Sequence, residues 1–434
     1  MSKTHDRDRG RVDRRVAVRH LLGAASFGAA GLSAGKAIAD QTLDALIGAA
    51  QRNELGQSFD EATRTVRMPK PSDPTVCAAT AETTEQAVAR YATIVAQGGW
   101  PKVPSVKILR LGDRHPSVRV LRARLAVSGD IDPSAVRNDI YDSYVEAAVR
   151  HFQARHGLTV DGVLRAETLT AMNVPAATRL AMLKINVGRL RALGGSLAPR
   201  YVVCNLPAAR VEAIQNGVAV SRHTAVVGRP SRPSPVLNSK IVEVNFNPYW
   251  TVPVSIVRKD LIPLMQKLPD YLAENHIRIF DARHHELPAS QINWYSEDAV
   301  HYTFRQDPGS LNSLGVLRMN FPSPYGVYMH DTPEKNLFGE DFRFDSSGCV
   351  RVQNVRELVA WLLDETHGWS RTQIDAVIKS GEQKNARLAT PVPLHWVYIT
   401  GWATTDGVVQ FREDIYGKDG LPGDSSTQTA TTNL

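Results

Sequence analysis

The sequence predicts a multidomain α+β protein: a helical front part that ends in a small three-helix bundle, then a mostly β domain interrupted by one helical insertion. Three observations predict it. Over residues 106–175 the apolar side chains fall in three short stripes at helical spacing. After Gly194-Gly195 the apolar pattern switches to a period of two. Over residues 254–300 that alternation stops and the text turns helical and aromatic before strand character returns.

The 434 residues suffice for two or three domains, each with its own core. Hydrophobic content of 43% and charged content of 22% are ordinary for a globular chain. The formal net charge of +7 favours acidic partners in general. No Lys/Arg-dense run with interleaved aromatics and no nucleic-acid motif is visible, so no nucleic-acid partner is expected.

Residues 1–39 read as a targeting segment. Arg11, Arg14, Arg15 and Arg19 supply positive charge, diluted by Asp6, Asp8 and Asp13. Residues 21–34 are uncharged, and Ala37-Ile38-Ala39 offers a small-x-small cleavage site with Asp40 as the new N-terminus. The apolar run is too short and glycine-rich for a membrane span, so export without a stable span is expected, by either the general or the twin-arginine route. Of the three cysteines, Cys204 lies in an apolar strand and reads as core, Cys77 carries no motif, and the spacing suits no zinc site.

Residues 40–105 read as a helical scaffold. Thr83 with Gln86 predicts a capping box, with Val88, Tyr91, Ala92 and Val95 on one face. In residues 106–175 the stripes are Val118, Leu121 and Leu125; Val145, Val149 and Phe152; and Leu169 with Met172. Asp161-Gly162 marks the tightest turn between the last two. Residues 176–198 predict a connecting helix with Leu180, Leu183 and Val187 on one side. Residues 199–420 form the β domain. There Asn216-Gly217 between alternating runs predicts a hairpin with a type I′ turn. The insertion over 254–300 is expected to be a lid, and residues 421–434 a Ser/Thr-rich disordered tail.

The chemistry concentrates in two short stretches, Tyr328-Met329-His330-Asp331-Thr332-Pro333 and Ser346-Ser347-Gly348-Cys349-Val350-Arg351-Val352. A cysteine nucleophile and a histidine base stand 19 positions apart, and Gly348 beside the cysteine frees backbone N–H groups for an oxyanion. His330 is expected to end a strand. Cys349 is expected at a loop-to-helix junction, where N–H groups and the helix dipole would lower its pKa and His330 would complete an ion pair.

Two resemblances sharpen this reading. Leu109-Arg110-Leu111-Gly112-Asp113, the stripe from Val118 to Leu125, and Leu158-Thr159-Val160-Asp161-Gly162 resemble the three-helix peptidoglycan-binding domain. His330-Asp331-Thr332 with Ser346-Ser347-Gly348-Cys349-Val350-Arg351-Val352 resembles the L,D-transpeptidase signature of YkuD-type catalytic domains. Phe246-Asn247-Pro248-Tyr249-Trp250-Thr251-Val252-Pro253 and Asp414-Ile415-Tyr416-Gly417 are similar to its large, lid-bearing YcbB-like branch. Many members carry a second histidine just before the Gly-Cys pair. Ser347 stands there in this chain, which leaves His330 as the base.

The resemblance implies a periplasmic or cell-envelope enzyme that needs no metal or organic cofactor and acts on peptidoglycan stem peptides. It implies a Cys349 thioester, His330 as base, the main-chain carbonyl of Asp331 as its orienter, and oxyanion donors around Ser347 and Gly348. Arg351 is a candidate for a stem carboxylate, with a structural ion pair as the plainer role. Tyr249, Trp250 and Tyr328 are candidates to line the groove. The expected reaction is 3→3 cross-linking with release of D-alanine. An L,D-carboxypeptidase, an enzyme linking outer-membrane proteins to the wall, and a non-enzymatic wall-binding protein are the alternatives.

Overall fold

The computed structural model describes residues 73–135, 138–194 and 197–421. The expected targeting segment and the tail beyond Leu421 lie outside the described residues.

Five helices precede the sheet: α1 (Thr80–Ala96), α2 (Ser117–Ser128), α3 (Ser143–His156), α4 (Ala166–Met172) and α5 (Ala176–Gly194). Helix α3 shows why its ends fall where they do. Asp142 accepts the Val145 N–H at the start, and Gly157 closes the helix at φ 70°, a left-handed conformation that glycine adopts without steric cost. All eight stripe residues of the bundle are buried and share one core with Leu109, Tyr141 and Leu164.

Helix α1 differs from expectation. It starts at Thr80, ahead of Thr83, and the Thr83 hydroxyl donates to the Ala403 carbonyl (2.8 Å) instead of capping. Its buried face is Thr84, Ala87, Tyr91 and Ile94, rotated from the stripe through Val88 and Val95. Threonine methyls and alanine serve that packing, and an apolar count overlooks them.

The β domain is built on a nine-stranded sheet in the order β11-β3-β12-β10-β9-β4-β13-β1-β2. The strands are β1 (Arg200–Asn205), β2 (Arg210–Gln215), β3 (Val218–Gly228), β4 (Leu237–Phe246), β9 (Leu317–Asn320), β10 (Met329–His330), β11 (Phe344–Ser346), β12 (Val350–Val352) and β13 (Lys384–Val397). Strand β2 also pairs with β3, so the sheet closes on itself and leaves only the three-residue β11 as an outer strand. The β2–β3 turn holds Asn216 and Gly217 at φ 53° and 79°, the type I′ geometry. Inside the closed sheet lie Val202, Val227, Val244, Met319, Met329, Val350 and Trp396. Helices α6 (Val355–Leu362) and α7 (Arg371–Ser380) cover it with Leu358, Leu362, Ile374 and Val377.

The insertion is not purely helical. A helical run begins at Val254–Ile256, widens to a π-helical turn over Val257–Leu261 and resumes over Ile262–Met265. Pro263 explains the widening: it has no N–H, and its ring would clash with the carbonyl four residues back. A separate four-stranded sheet follows in the order β5-β8-β6-β7, formed by β5 (Trp250–Thr251), β6 (Ile277–Phe280), β7 (Glu286–Leu287) and β8 (Thr303–Gln306). It draws in residues on both sides of 254–300 and has its own core of Val257, Leu261, Ile277, Ile279 and Phe304. Strands of two to four residues are too short for alternation to register in sequence.

The bundle meets the β domain at the hairpin β14 (Gly401–Ala403) and β15 (Val409–Phe411). Arg155 donates to both oxygens of buried Asp130 (2.6 Å each) and to the Val409 carbonyl (3.3 Å). Arg412 donates back to the Arg155 carbonyl (3.1 Å), and a Cβ on Gly157 would lie 2.6 Å from its Nε.

Candidate active site

Strand pairing brings the two chemical stretches together. Strands β10 and β12 run parallel, with Met329 beside Val350 and His330 beside Arg351. Side chains alternate along a strand, and Met329 and Val350 both point into the core. His330, Arg351 and Tyr328 therefore belong to the opposite face, while Cys349, the residue just before β12, packs against the core and stands two positions from the Arg351 that pairs with His330. Arg318 on β9 pairs with His330 and joins that face, its guanidinium 4.8 Å from the Tyr328 ring centre.

His330 is buried, and its Nδ1 lies 2.5 Å from the main-chain oxygen of Asp331. A carbonyl only accepts, so Nδ1 carries the proton and Nε2 keeps the lone pair a base needs. The Asp331 carboxylate is committed elsewhere: it accepts the Val316 N–H (3.1 Å) and pairs with Lys335. A Cβ on Gly315, whose φ is +60°, would lie 2.4 Å from that carboxylate. Only glycine lets the 315–316 backbone approach so closely.

The electrostatics correct one expectation. Burial pushes the Cys349 thiol up from its usual 9.0, against a main-chain hydrogen bond from Tyr328 and the charges of Arg351 and Arg318. Burial, and next the Arg351 charge, lowers His330 to about 4, against the Asp331 carbonyl and charge. The resting pair is neutral thiol and neutral imidazole, not an ion pair. Cys349 also precedes a strand, and α6 starts only at Val355, so the helix dipole is spent before it reaches the sulfur.

The loop between β11 and β12 is held from within. Ser346 accepts the Gly348 N–H (3.1 Å) and donates to the Cys349 carbonyl (2.6 Å). The Gly348 N–H, expected to face an oxyanion, is thereby engaged within its own loop. Gly348 sits at φ +113°, a conformation that strains any side chain.

The remaining candidates are placed as follows. Arg351 pairs with Glu334 (2.5 Å), the structural ion pair that was the plainer of its two roles. Tyr328 flanks Cys349, and its carbonyl accepts the Val350 N–H (3.0 Å). Tyr249 carries the Arg305 guanidinium 4.5 Å from its ring centre, and Trp250 packs against the insertion's own core. Sequence reasoning missed Arg232 and Ser234 on the β3–β4 loop. Ser234 is fully buried and donates to the Gly348 carbonyl (2.8 Å), while Arg232 donates to the Ser347 hydroxyl (3.0 Å). No motif marks an isolated arginine or serine in a loop. Among the described residues, no group of three or more His, Cys, Asp or Glu is placed to hold a metal ion.

A closed β domain with a buried, carbonyl-oriented histidine beside a strand-end cysteine is of the class built for acyl transfer. Residues 199–392 match the YkuD family, the L,D-transpeptidase catalytic domain, and residues 114–172 match the "Putative peptidoglycan binding domain". A curated protein of Haemophilus influenzae named "Putative L,D-transpeptidase" is 33% identical over 238 residues. That match covers 55% of this chain and 48% of the relative, so the chain spans about half the relative's length. The chain thus holds a region similar to the L,D-transpeptidase catalytic domain behind one similar to the peptidoglycan-binding domain.

Overlays on solved structures are loose. The L,D-transpeptidase of Stackebrandtia nassauensis overlays with a TM-score of 0.25 at 11% identity, covering 68% of this chain and 96% of that one. That of Xylanimonas cellulosilytica gives 0.23 at 14% identity, covering 68% and 99%. Overlays this loose leave the sequence matches to carry the assignment. No helix among the described residues is long and apolar enough to cross a membrane.

Proposed function

We propose that the chain is a peptidoglycan L,D-transpeptidase that forms 3→3 cross-links between stem peptides in the cell envelope through a Cys349 thioester. The observation that supports this is the β10–β12 register, in which His330 pairs with Arg351, two positions from Cys349, together with His330 Nδ1 at 2.5 Å from the Asp331 carbonyl. In the first half-reaction the Cys349 sulfur attacks the carbonyl of the third stem residue, a meso-diaminopimelate. Its proton passes to His330 Nε2 and then to the departing nitrogen of D-alanine. The N–H groups of Ser347 and Cys349 stabilise the oxyanion, a contribution of about 10²–10³ in rate per donor in such sites. In the second half-reaction an acceptor amine attacks the thioester, His330 takes its proton, and the thiol is restored.

The neutral resting pair supports this order of events. A thiol whose proton leaves only as the carbonyl is attacked needs a base that is unprotonated at neutral pH, and a pKa near 4 keeps His330 in that state. The peptidoglycan-binding match supports the same substrate polymer.

Incubation with purified muropeptides and mass analysis of the products tests the proposal. Dimers with one D-alanine released per link support it. D-alanine without dimers redirects the second half-reaction to water, and no product together with no carbapenem adduct on Cys349 sinks the enzyme reading. Cys349→Ala should lose turnover by about 10³-fold or more.

A further inference from the structure

We propose that Arg232 is a positioning residue for acyl transfer that ties the lid to the loop carrying the nucleophile; this rests on the reading of Cys349 as the residue acylated. Arg232 lies in the β3–β4 loop, residues 229–236, which is stitched to the nucleophile loop independently of the lid. The Arg229 N–H donates to the Ser346 carbonyl (2.9 Å) and its guanidinium to the Asp345 carbonyl (3.0 Å). Ser234 accepts the Gly228 N–H (2.9 Å) while donating to Gly348. The turn is tight enough that a Cβ on Gly228 would lie 2.4 Å from the Arg232 carbonyl.

On this fixed base the Arg232 guanidinium faces two ways. Both terminal nitrogens grip the Asp260 carboxylate, with Nη2–Oδ1 at 2.9 Å, and Nη1 also donates to the Ser347 hydroxyl (3.0 Å). Asp260 belongs to the lid and sits in the π-helical turn that Pro263 forces. Ser347 supplies one of the two N–H groups that the proposed mechanism sets on the oxyanion. A bidentate pair has a defined geometry, so a seated lid fixes the guanidinium, and the guanidinium fixes the Ser347 side chain. When the lid lifts, Asp260 leaves, Arg232 loses the partner that aims it, and Ser347 is released. The oxyanion donors are therefore fully aligned only beneath a seated lid. The pair is partly exposed, so lifting costs little and the contact suits a reversible latch.

The test uses the full chain and two acylating probes, a carbapenem and a purified stem tetrapeptide. Arg232→Ala should slow acylation of Cys349 by both, about 10- to 100-fold, as expected when reacting groups are misplaced without being removed. With the tetrapeptide the loss should appear in kcat and not in KM. Asp260→Asn should act in the same direction, Arg232→Lys should restore part of the rate, and the double variant should be no slower than Arg232→Ala. Rates for Arg232→Ala within about two-fold of wild type, additive losses in the double variant, or a loss confined to KM would each overturn the latch. Should Arg232→Ala fold poorly, Asp260→Asn carries the same test from an exposed position. A wild-type protein that takes no adduct refutes the proposed function; one that does, while the variants keep pace, refutes the latch alone.

Discussion

The bundle and the lid are both appended to one closed β domain, and they are joined to it in opposite ways. The bundle is joined by buried groups: Arg155, held within the bundle by Asp130, reaches Val409, Arg412 reaches back to Arg155, and aromatic rings stack against both. The lid's latch is the Arg232–Asp260 pair, whose carboxylate is 40% exposed. Water can replace the second kind of contact and cannot reach the first. Breaking a buried pair strands a charge, whereas breaking an exposed one returns both ions to solvent. The wall-binding match thus falls on the appendage with the buried joint, and the insertion over 254–300 is the one held by the more exposed pair.

The contrast can be broken from the bundle side first. Asp130→Asn should cost about 3–5 kcal/mol in urea unfolding, because it leaves Arg155 buried without its counter-charge. An effect below about 1 kcal/mol would show that the pair holding Arg155 at the junction is no stronger than the exposed Arg232–Asp260 pair.

Acid should separate the two regions next. His330 titrates near 6.5 when unfolded and near 4 when folded. Between those values the unfolded chain holds the proton and the folded chain does not, so stability rises with pH across that window and falls as pH drops from about 6.5 to 4, by up to roughly 3 kcal/mol. Burial opposes ionisation of Asp130, but the Arg155 charge and the hydrogen bonds of His151 and Arg155 outweigh it and hold its carboxyl well below the usual 3.8. The junction therefore keeps its contribution until the pH falls below the ordinary carboxylate range. Urea midpoints against pH should show both windows in the wild type, and His330→Gln should erase only the upper one.

Smaller changes sharpen the picture. Gly157→Ala adds a Cβ at a left-handed residue and presses it onto buried Arg412, which should cost about 1–2 kcal/mol in thermal unfolding. Asp260→Asn should change stability by less than about 1 kcal/mol while it slows acylation. A lid variant that lowers both together would show that the lid is part of the cooperative fold.

The sequence made the bundle legible because its stripes are long and strictly helical, and Val118, Leu121, Phe152 and Met172 are all buried as that period requires. His330 at a strand end and Cys349 in a glycine-bearing loop were legible for a local reason, since the two stretches are contiguous. What the sequence hid depends on contacts made at a distance. The lid's strands are too short to show alternation. The Thr83 hydroxyl, expected to cap its helix, donates to a carbonyl 320 residues away. Thiol acidity was misjudged because burial of Cys349 and His330 comes from neighbouring strands, and local text shows nearby N–H groups but not desolvation. Arg232 and Asp260 stand 28 positions apart on unrelated elements, and no local pattern joins them.

The neutral state of the resting pair has a consequence for chemical damage. Peroxides and alkylating reagents attack the thiolate, and burial keeps Cys349 in its protonated form. Iodoacetamide should therefore label Cys349 slowly at neutral pH, and rapid labelling would show that a thiolate is present. An enzyme that carried a standing thiolate would spend part of its lifetime oxidised. On the proposed reading, burial keeps the sulfur chemically quiet until a carbonyl is seated against it.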